Sequence, residues 1–554
     1  MATSPQSLLH NSKDITISNF IRSTALLIIS MIIFLSTTLL IATNLNFNVI
    51  NSVPSKTLSL INACRNAHDL ESCVAIASRR NTQALDFNEL TIFLQHSIYD
   101  IKSAITLAKN VKSRSLNTKN NATIDICVHL LDMSMDRLVD SIAVLSNGPH
   151  LDSITYSDVL TWLSGVLTNH DTCLEGLKQG PRLELESRIN DLMTRARVSL
   201  AILHSLSPNK FNDESLLSHE FRDWVSKINL NKDIIIPDVV VAQDGSGDYR
   251  TVAEALYFAP NKSDHRYVIY VKQGTYEENV RVEKTKTNIT LVGDGMYYTI
   301  ITSSLNYIDG VPTFDSGTLI VEGDGFIGQD LWIMNTAGPE KHQAVALRVS
   351  ADKTVINRCQ IDAFQDTLYI HRDRQFYRDC TIKGTVDFIF GNAAVVLQNC
   401  TIVARRPMDG QSNMITAQSR SSPLQNTGIS IQMSRIKPSK HLRPVQKLVK
   451  TYFGRPWKNY STTVIMQSYI EGHIAPLGWA KWDDYTNTTS LYYGEYNNTG
   501  PGSFTGERVD WAGFHVINDS NVAINFTVGR LIKDSFWLNS TGVDYIDGLE
   551  IYSD

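Results

Sequence analysis

Two amides and two carboxylates recur in this sequence at a spacing that could bring them together. Gln343, Gln365 and Asp387 follow one another at intervals of 22 positions, and Asp366 comes directly after Gln365. If about 22 residues form one turn of a coiled parallel sheet, equivalent positions in successive turns stack about 4.8 Å apart. The four side chains would then converge on one patch of one face.

The carboxylates of Asp366 and Asp387 could divide the work of an acid–base reaction. Two carboxylates a few ångströms apart do not both ionise easily, so the pKa of one rises while that of the other stays low. This division supplies one proton-bearing acid and one anionic nucleophile or base. The amide N–H groups of Gln343 and Gln365 could donate hydrogen bonds to a tetrahedral oxyanion. The alternative is an inert side-chain ladder inside a coiled sheet.

A cation and aromatic rings accompany this set. Arg455 lies on a tight turn between Gly454 and Pro456, and a guanidinium can hold a carboxylate ionised through a bidentate contact. Trp457 and Trp479 are candidates for stacking on sugar rings. Ordinary aromatic packing over the end of the sheet is the alternative interpretation for both rings.

A repeat of similar length provides the elements that must position these residues. Short β-branched runs broken by Gly, Asn and Asp recur without intervening helices from residue 237 onward, and this pattern predicts an all-β right-handed parallel β-helix over residues 237–554. A β-sandwich is the structural alternative. The predicted strands are Asp238–Ala242, Tyr267–Val271, Asn288–Val292, Gly317–Val321, Ala344–Val349 and Ala393–Gln398.

Three tetrads give the clearest view of the repeat, at intervals of 21 and 20 residues, and two looser copies follow at residues 433–436 and 467–470. Each of the three carries a cysteine at its second position, which predicts a stacked ladder of buried thiols. The tetrads are Arg358-Cys359-Gln360-Ile361, Asp379-Cys380-Thr381-Ile382 and Asn399-Cys400-Thr401-Ile402.

Residues 57–206 have helical periodicity and few strand signals. Four apolar stripes with short connections predict an all-α four-helix bundle, with Asn147-Gly148-Pro149 and Gly180-Pro181 as breakers. Residues 207–236 lose the periodicity and are predicted to form a linker. The stripes are Leu90, Phe93, Leu94, Ile98, Ile101 and Ile105; Leu130, Leu131, Leu138, Ile142 and Leu145; Val159, Leu163, Leu167, Leu174 and Leu177; and Leu185, Ile189, Leu192, Ala196 and Leu203.

The N-terminal residues 1–55 contain an apolar segment, Ala25–Ala42, which fits a signal anchor or a signal peptide over about residues 24–43. Basic residues precede the segment, which places the N-terminus in the cytoplasm and the rest of the chain in the secretory lumen. Multiple Asn-x-Ser/Thr sequons agree with export, among them those at Asn121, Asn261, Asn288, Asn459, Asn487, Asn497, Asn518, Asn525 and Asn539. Four cysteines before residue 210 then indicate two disulfides, most simply Cys64–Cys73 and Cys127–Cys173.

Other classes of function have little support. A net charge of −5 over 554 residues does not indicate nucleic-acid binding. The sequence has no Gly-x-Ser-x-Gly elbow and neither a Cys-x-x-Cys nor a His-Glu-x-x-His zinc motif. Residues 323–328 match the dinucleotide fingerprint by letters, but residues 330–334 behind them have the pattern of a strand, so a coil turn is predicted there.

These segments together resemble the plant pectin methylesterases over nearly the whole chain. Five signature blocks occur in order, which is far more specific than any single motif. The helical region resembles the pectin methylesterase inhibitor domain that precedes the enzyme in many members, and its cysteines have the spacing of that family. The blocks are Gly274-Thr275-Tyr276-Glu277-Glu278, His342-Gln343-Ala344-Val345-Ala346, Gln365-Asp366-Thr367-Leu368-Tyr369, residues 384–391 (GTVDFIFG) and Gly454-Arg455-Pro456-Trp457.

The resemblance implies demethylation of homogalacturonan in the cell wall, with release of methanol and without a metal or organic cofactor. Asp387 matches the family's nucleophile, and Asp366 matches the acid that protonates methanol and then activates water. Gln343 and Gln365 match the oxyanion donors, and Arg455 matches the residue that orients Asp387. Trp457 and Trp479 match aromatic residues of the substrate groove. Thr313 is a further substrate-binding candidate.

The implied partners are methylesterified homogalacturonan, the chain's own inhibitor-like domain and separate inhibitor proteins. Membrane contact is implied only through the N-terminal segment.

Two departures from the family pattern keep alternatives open. Members with the inhibitor region usually carry a dibasic processing site before the enzyme, but the linker here offers only the isolated Arg222, Lys227 and Lys232. Phe364 stands before Gln365 where tyrosine is common. The alternatives to an active esterase are a catalytically silent inhibitor or wall-binding protein and a β-helix pectin depolymerase, either a lyase or a polygalacturonase.

Overall fold

Four long helices form the first part of the described chain, as the apolar stripes predict. The computed structural model describes residues 86–146, 151–207, 228–229, 234–533 and 535–550. Helix α1 packs on α2 and α4, and α3 packs on the same two helices, which makes a four-helix bundle. The helices are α1 (Phe87–Arg114), α2 (Thr118–Leu145), α3 (Ser153–Gly176) and α4 (Gln179–Ser205).

The ends of these helices follow local sequence signals. The carboxylates of Asp86 and Asp152 accept hydrogen bonds from the third residue of α1 and of α3, as N-cap residues do. The predicted breaker at Gly180-Pro181 is wrong in position, because both residues lie in the first turn of α4. A proline fits there because the first turn of a helix needs no N–H from it. Within the bundle, the predicted disulfide Cys127–Cys173 joins α2 to α3.

The second part of the chain is a coil of parallel strands that confirms the predicted β-helix. Its three sheets contain 11, 8 and 7 strands, and each strand pairs in parallel with the equivalent strand of the next turn. The first sheet comprises β3 (Val239–Val241), β4 (Tyr267–Val271), β7 (Ile289–Gly293), β10 (Ile327–Gln329), β13 (Thr354–Asn357), β16 (Arg374–Arg378), β19 (Ala394–Gln398), β22 (Gly428–Gln432), β25 (Thr462–Met466), β27 (Tyr492–Tyr496) and β28 (Phe514–Val516).

The other two sheets complete each turn of the coil. The second sheet comprises β5 (Gly274–Glu277), β8 (Thr299–Ser303), β11 (Trp332–Asn335), β14 (Gln360–Asp362), β17 (Thr381–Gly384), β20 (Thr401–Ala404), β23 (Arg435–Pro438) and β26 (Tyr469–Ile470). The third sheet comprises β6 (Val280–Val282), β9 (Leu319–Val321), β12 (Leu347–Val349), β15 (Leu368–Ile370), β18 (Ile389–Gly391), β21 (Asn413–Gln418) and β24 (Thr451–Gly454).

A few short elements lie outside these sheets. The antiparallel pair β1 (Ile228–Asn229) and β2 (Ile234–Ile235) precedes the coil. Helix α5 (Val252–Phe258) follows β3, and three short helices, α6 (Ser520–Ala523), α7 (Val528–Leu531) and α8 (Ser535–Asn539), follow β28. Two of the short helices, α7 and α8, cover the outer face of the first sheet, where Val528 and Leu538 pack against Phe376.

The tetrad repeat sets the register of the second sheet. Gln360 pairs with Thr381, which pairs with Thr401, and the ladder continues through Arg435 and Tyr469. The looser copies are therefore true repeats. The residue that opens each tetrad has a positive φ of 49° to 54° and forms the corner between the first and second sheets; these residues are Arg358, Asp379, Asn399, Met433 and Gln467.

The thiols of Cys359, Cys380 and Cys400 are free and buried, as the ladder predicts. The ladder continues as Ser434 and Ser468, whose hydroxyls accept hydrogen bonds from the backbone N–H groups of Cys400 and Ser434, both at 3.0 Å. Burial raises the pKa of Cys359 to about 12, so this thiol stays protonated at neutral pH. The ladder is thus part of the apolar interior of the coil.

The bundle is packed against the coil through a mixed apolar and charged surface, and the two belong to one compact unit. Arg137 of α2 is buried between two carboxylates of the coil, with nitrogens 2.6 Å from both oxygens of Asp324 and 2.9 Å from Asp373. Asp158 of α3 receives a hydrogen bond from Arg374 at 2.5 Å. An apolar cluster shared by both domains includes Phe390.

Several expectations concern residues outside the described ranges. These are the apolar segment Ala25–Ala42, the disulfide Cys64–Cys73, the breaker Asn147-Gly148-Pro149 and the part of the linker that contains Arg222, Lys227 and Lys232. Within the ranges that the structure describes, no helix combines the length and the apolar character needed to cross a membrane.

Candidate active site

The two amides and two carboxylates lie on the third-sheet side of the coil, on neighbouring turns. Gln343 and Gln365 form a parallel β-bridge, so their side chains leave equivalent positions of successive turns. The backbone N–H of Asp366 donates to the carbonyl oxygen of Val386, the residue before Asp387, at 3.0 Å. The structure therefore brings together all four residues that the spacing predicts.

Both aspartates have a left-handed backbone, with φ of 63° at Asp366 and 49° at Asp387. Few residues other than glycine adopt this conformation, and aspartate is among those that tolerate it. The tetrad residues at the corners between the first and second sheets have the same backbone, so the positive φ reflects the corner geometry of the coil and does not by itself mark a site.

Arg455 binds Asp387 in the bidentate manner predicted for it. Its Nε lies 2.8 Å from Oδ1 and its Nη2 lies 2.6 Å from Oδ2 of Asp387. Arg455 follows the last residue of β24, and its backbone N–H donates to the carbonyl oxygen of Thr416 at 3.0 Å. Two parallel hydrogen bonds fix the orientation of the carboxylate as well as its charge.

The two carboxyl groups differ in their tendency to hold a proton. Burial, and then the negative charge of Asp387, raise the pKa of Asp366 well above its usual range, while Arg455 partly opposes the shift. Burial also raises the pKa of Asp387, but two contributions from Arg455 lower it. We therefore assign the proton of the pair to Asp366 and the negative charge to Asp387.

The amides of Gln343 and Gln365 are available as hydrogen-bond donors. Within the described part of the chain, neither side chain makes a hydrogen bond, whereas the backbone of both residues is held by neighbouring turns; the carbonyl oxygen of Gln343, for example, accepts from Tyr307 N–H at 2.9 Å. Fixed backbones with free amides are the arrangement that an oxyanion site needs.

Aromatic rings line one wall of this patch. Trp457 stacks on Trp482 with their planes 15° apart, and Trp482 also covers the Arg455 guanidinium at 4.2 Å. Phe390 contacts Trp457 and stacks on Tyr369. Sequence reasoning missed Trp482, although it lies in the same short segment as Trp479.

Trp479 does not line the patch as expected. Its ring is 1% exposed and packs in the interior of the coil against Phe453 and Tyr493, and its Nε1 donates to Glu495 at 3.3 Å. The reason is register, because Trp479 pairs with Gly454 at the end of the third sheet and points inward. Thr313, by contrast, does lie at the patch.

A cavity of about 510 Å³ lies over the four residues and is roofed by the bundle. The roof is formed by the start of α2 and the end of α3, with Thr123, Thr172 and Gly176 among its residues. Thr172 contacts Nε2 of His371 through its hydroxyl at 3.0 Å, and Glu175 forms an ion pair with Lys458. Sequence reasoning gave no indication of these roof contacts.

Comparison with known proteins gives a consistent picture for both domains. A pectinesterase family model matches residues 238–535, and a model for the plant invertase/pectin methylesterase inhibitor family matches residues 59–202. The chain is 47% identical to pectinesterase/pectinesterase inhibitor 18 of Arabidopsis thaliana, over 99% of this chain and 100% of the relative. It is 50% identical to a pectinesterase/pectinesterase inhibitor of Ficus pumila var. awkeotsang, over 88% of this chain and 91% of the relative.

A solved structure supports the same relationship. The chain is similar to a pectin methylesterase from carrot with a TM-score of 0.57 and 55% sequence identity. The match covers 57% of this chain and 99% of the carrot chain. The matched share has about the length of the coil, so the carrot chain is a coil of this kind without a bundle.

Proposed function

This chain belongs to the pectinesterase family, with a domain of the inhibitor family before the enzyme, and on that premise we propose that it hydrolyses the methyl esters of cell-wall homogalacturonan. Each turnover converts one methyl ester and one water into a galacturonate carboxylate, methanol and a proton. The site of action is the cell wall, to which the homologous enzymes and the predicted export both point. The observation that carries the proposal is the Asp387–Arg455 pair beside Asp366 in one cavity.

In the proposed mechanism, Asp387 is the nucleophile and Asp366 is the acid. The Asp387 carboxylate attacks the ester carbonyl carbon, and the negative charge on the carbonyl oxygen is stabilised by the amide N–H groups of Gln343 and Gln365. The C–O bond to the methoxy group breaks as Asp366 gives its proton to the departing oxygen. The products of this half-reaction are methanol and an acyl group on Asp387.

In the second half-reaction, Asp366 changes from proton donor to proton acceptor. Asp366, now ionised, takes a proton from a water molecule, whose oxygen attacks the acyl carbon. The bond to Asp387 breaks, the galacturonate group leaves and loses its remaining proton to solvent, and Asp366 is again protonated. Arg455 keeps Asp387 oriented throughout, and this role is supported by its bidentate contact at 2.6 and 2.8 Å.

We further propose that the bundle inhibits the enzyme in the same chain. The support is geometric: the bundle roofs the cavity, and Glu175 and Thr172, which line it, contact Lys458 and His371 of the coil. A polysaccharide in the cleft would occupy the same space as these helices. Separate inhibitor proteins of the same family would compete for the same surface once the bundle is gone.

The experiment is methanol release from highly esterified pectin by residues 237–554, compared with its Asp387→Asn variant. We expect the variant to lose activity by roughly 10⁴- to 10⁶-fold, as for other nucleophile deletions. Asp379→Asn is the matched control, because Asp379 also has a positive φ but lies at a different corner of the coil, between the first and second sheets. Equal methanol release by the Asp387→Asn variant would refute the assignment of the nucleophile.

The same assay separates the alternatives. A depolymerase would lower the viscosity of pectin and produce new chain ends without methanol. A silent inhibitor or wall-binding protein would release no methanol even as the isolated coil.

A further inference from the structure

The cavity between bundle and coil stays open to solvent although the bundle roofs it. Three residues at its mouth are well exposed: Tyr307 is 42%, Ile308 is 49% and Trp482 is 37% exposed. The volume of about 510 Å³ falls within the range of roughly 300 to 1,000 Å³ that is usual for small-ligand sites. A molecule of a few sugar units can thus be accommodated where a long chain cannot.

The bundle covers the reacting groups without engaging them. Among the described residues, no side chain of the bundle forms a hydrogen bond or ion pair with Asp366, Asp387 or Arg455, or with the amide of Gln343 or Gln365. The Arg455–Asp387 pair is intact beneath the roof. The proposed machinery is therefore assembled in the covered state, and only the route to it is restricted.

The bundle limits the length of substrate that the cleft can hold. Several contacts join the bundle to the coil around the cavity. At two of them, Nζ of Lys178 lies 3.4 Å from the hydroxyl of Tyr307, and Glu175 pairs with Lys458, the residue after Trp457. A polysaccharide must lie along a continuous cleft to present one of its internal esters. A short ester needs only the space between these two contacts.

From this geometry we propose that the bundle is a size filter rather than a complete inhibitor. The chain with its bundle hydrolyses methyl esters of short oligogalacturonides and excludes the polymer. The inference rests on the proposed function, because it assigns the same hydrolysis to the same residues and restricts only the substrate.

The test compares the intact lumenal chain, residues 57–554, with the isolated coil on one series of substrates. The series runs from polymeric pectin down to fully methyl-esterified oligogalacturonides of two to ten units, and methanol release gives kcat/KM for each length. The isolated coil is a sound reference, because the carrot chain corresponds to the coil alone. We expect the intact chain to be at least about 100-fold slower than the coil on polymer, but within about tenfold on the shortest oligomer that the coil hydrolyses.

Every outcome of this comparison decides the question. The size filter would be overturned if the ratio of kcat/KM between the isolated coil and the intact chain stays the same at every substrate length. It would also be overturned if the intact chain is inactive on every substrate while the coil is active. If the coil releases no methanol from any substrate, including polymer, the proposed function itself fails, and the two failures are thereby distinguishable.

A second variant tests the cavity as the route. Gly176 lines the cavity, and a Cβ built on it meets no atom within 4 Å, so a large side chain fits into the open space there. Gly176→Phe should reduce the short-ester activity of the intact chain at least tenfold.

Two controls accompany this variant. Gly176→Ala, which adds one methyl group in the same place, should keep the activity and shows that the position tolerates a side chain. Gly548→Phe is the matched control on the coil, since its Cβ also meets nothing within 4 Å. Undiminished short-ester hydrolysis by the Gly176→Phe chain would contradict the proposed route.

Discussion

At the scale of single residues, the two aspartates differ because of their partners and not because of their burial. Asp366 is 8% exposed and Asp387 is 5% exposed. Only Asp387 has a guanidinium bound to both of its oxygens, while the carboxyl group of Asp366 makes no hydrogen bond to any described residue. In the proposed mechanism, one arginine is thus sufficient to give two similar carboxyls the separate roles of nucleophile and acid.

This division predicts how the Arg455→Gln variant should respond to pH. The proposed mechanism requires Asp387 ionised and Asp366 protonated, so activity should rise with pH through the pKa of Asp387 and fall through that of Asp366. Arg455 lowers the pKa of Asp387, so its loss should raise that pKa and move the acidic limb of the kcat/KM profile to higher pH. We also expect kcat to fall by about 10²- to 10³-fold.

The measurement is a pH profile of methanol release by the isolated coil. Arg405→Gln is the control, because Arg405 stacks over Phe364 next to Gln365 but pairs with Asp362 at 2.5 Å, away from the cavity. An acidic limb that stays in place in the Arg455 variant would contradict the role assigned to this residue.

The four central residues could be predicted from the sequence because they follow the period of the coil. Trp479 and Trp482 could not be distinguished in this way. They are three positions apart in one short segment, and whether a ring points into the coil or into the cleft depends on the pairing of Trp479 with Gly454. A one-residue difference in register moves a side chain to the other face of a strand.

At the scale of elements, the corners of the coil explain why the first position of the tetrad varies. The repeat is recognisable from the cysteine or serine at the second position and the isoleucine at the fourth, which both point inward. The first position needs a left-handed backbone, and only Asp379 and Asn399 among the five are residues that favour it. The other three are held in this conformation by the ladders on either side.

Asn399 offers a direct measure of this backbone cost. It is exposed, has φ of 54°, and donates from its side chain to Asp379 at 2.6 Å. Asn399→Ala and Asn399→Gly both lose this hydrogen bond, but only alanine is strained at positive φ. We expect the alanine variant to be less stable than the glycine variant by about 1 kcal/mol, or about 2 to 4 °C in Tm.

The comparison requires thermal melts of the two coil variants at one scan rate. Asn261→Ala is a control for loss of an exposed asparagine outside the corners, and it should leave Tm nearly unchanged. Equal melting temperatures of the alanine and glycine variants would show that the corner carries no strain.

The bounds of the elements were predictable where local chemistry decides them. Tyr267–Val271 is a strand over the predicted residues because β-branched and aromatic side chains fill both of its faces. The Gly180-Pro181 breaker failed because the same two residues are compatible with the first turn of a helix. Composition alone does not distinguish the loop before a helix from its first turn.

At the scale of the whole molecule, the docking of the bundle on the coil was not predictable from the sequence. Arg137 meets Asp324 and Asp373, which lie 187 and 236 positions away. No local period relates such residues. In the folded chain, however, the buried guanidinium compensates carboxylates that the stacked turns bring together, and its removal would take one of two cationic partners from the buried Asp373, whose other partner is Arg372.

A glycine on α3 permits this docking, so a larger side chain at its position should disturb it. A Cβ on Gly165 would lie 2.5 Å from Oδ1 of Asp373, which is fully buried beside Arg137 and Arg372. Gly165→Leu should therefore force α3 away from the coil and open the cleft. We expect the intact chain to gain at least about tenfold in methanol release from polymeric pectin.

Gly180→Leu is the matched control, because a Cβ on Gly180 meets only the side chain of Asn120 at an ordinary 3.8 Å. This variant should keep the low polymer activity of the intact chain. An intact Cys127–Cys173 disulfide and an unchanged helical signal would show that the Gly165→Leu bundle is folded but displaced. If the polymer activity of the Gly165→Leu chain nevertheless stays low, close contact of α3 with the coil is not what excludes the polymer. The coil has the same sequence in the Gly165→Leu and Gly180→Leu variants, so it cannot account for a difference between them.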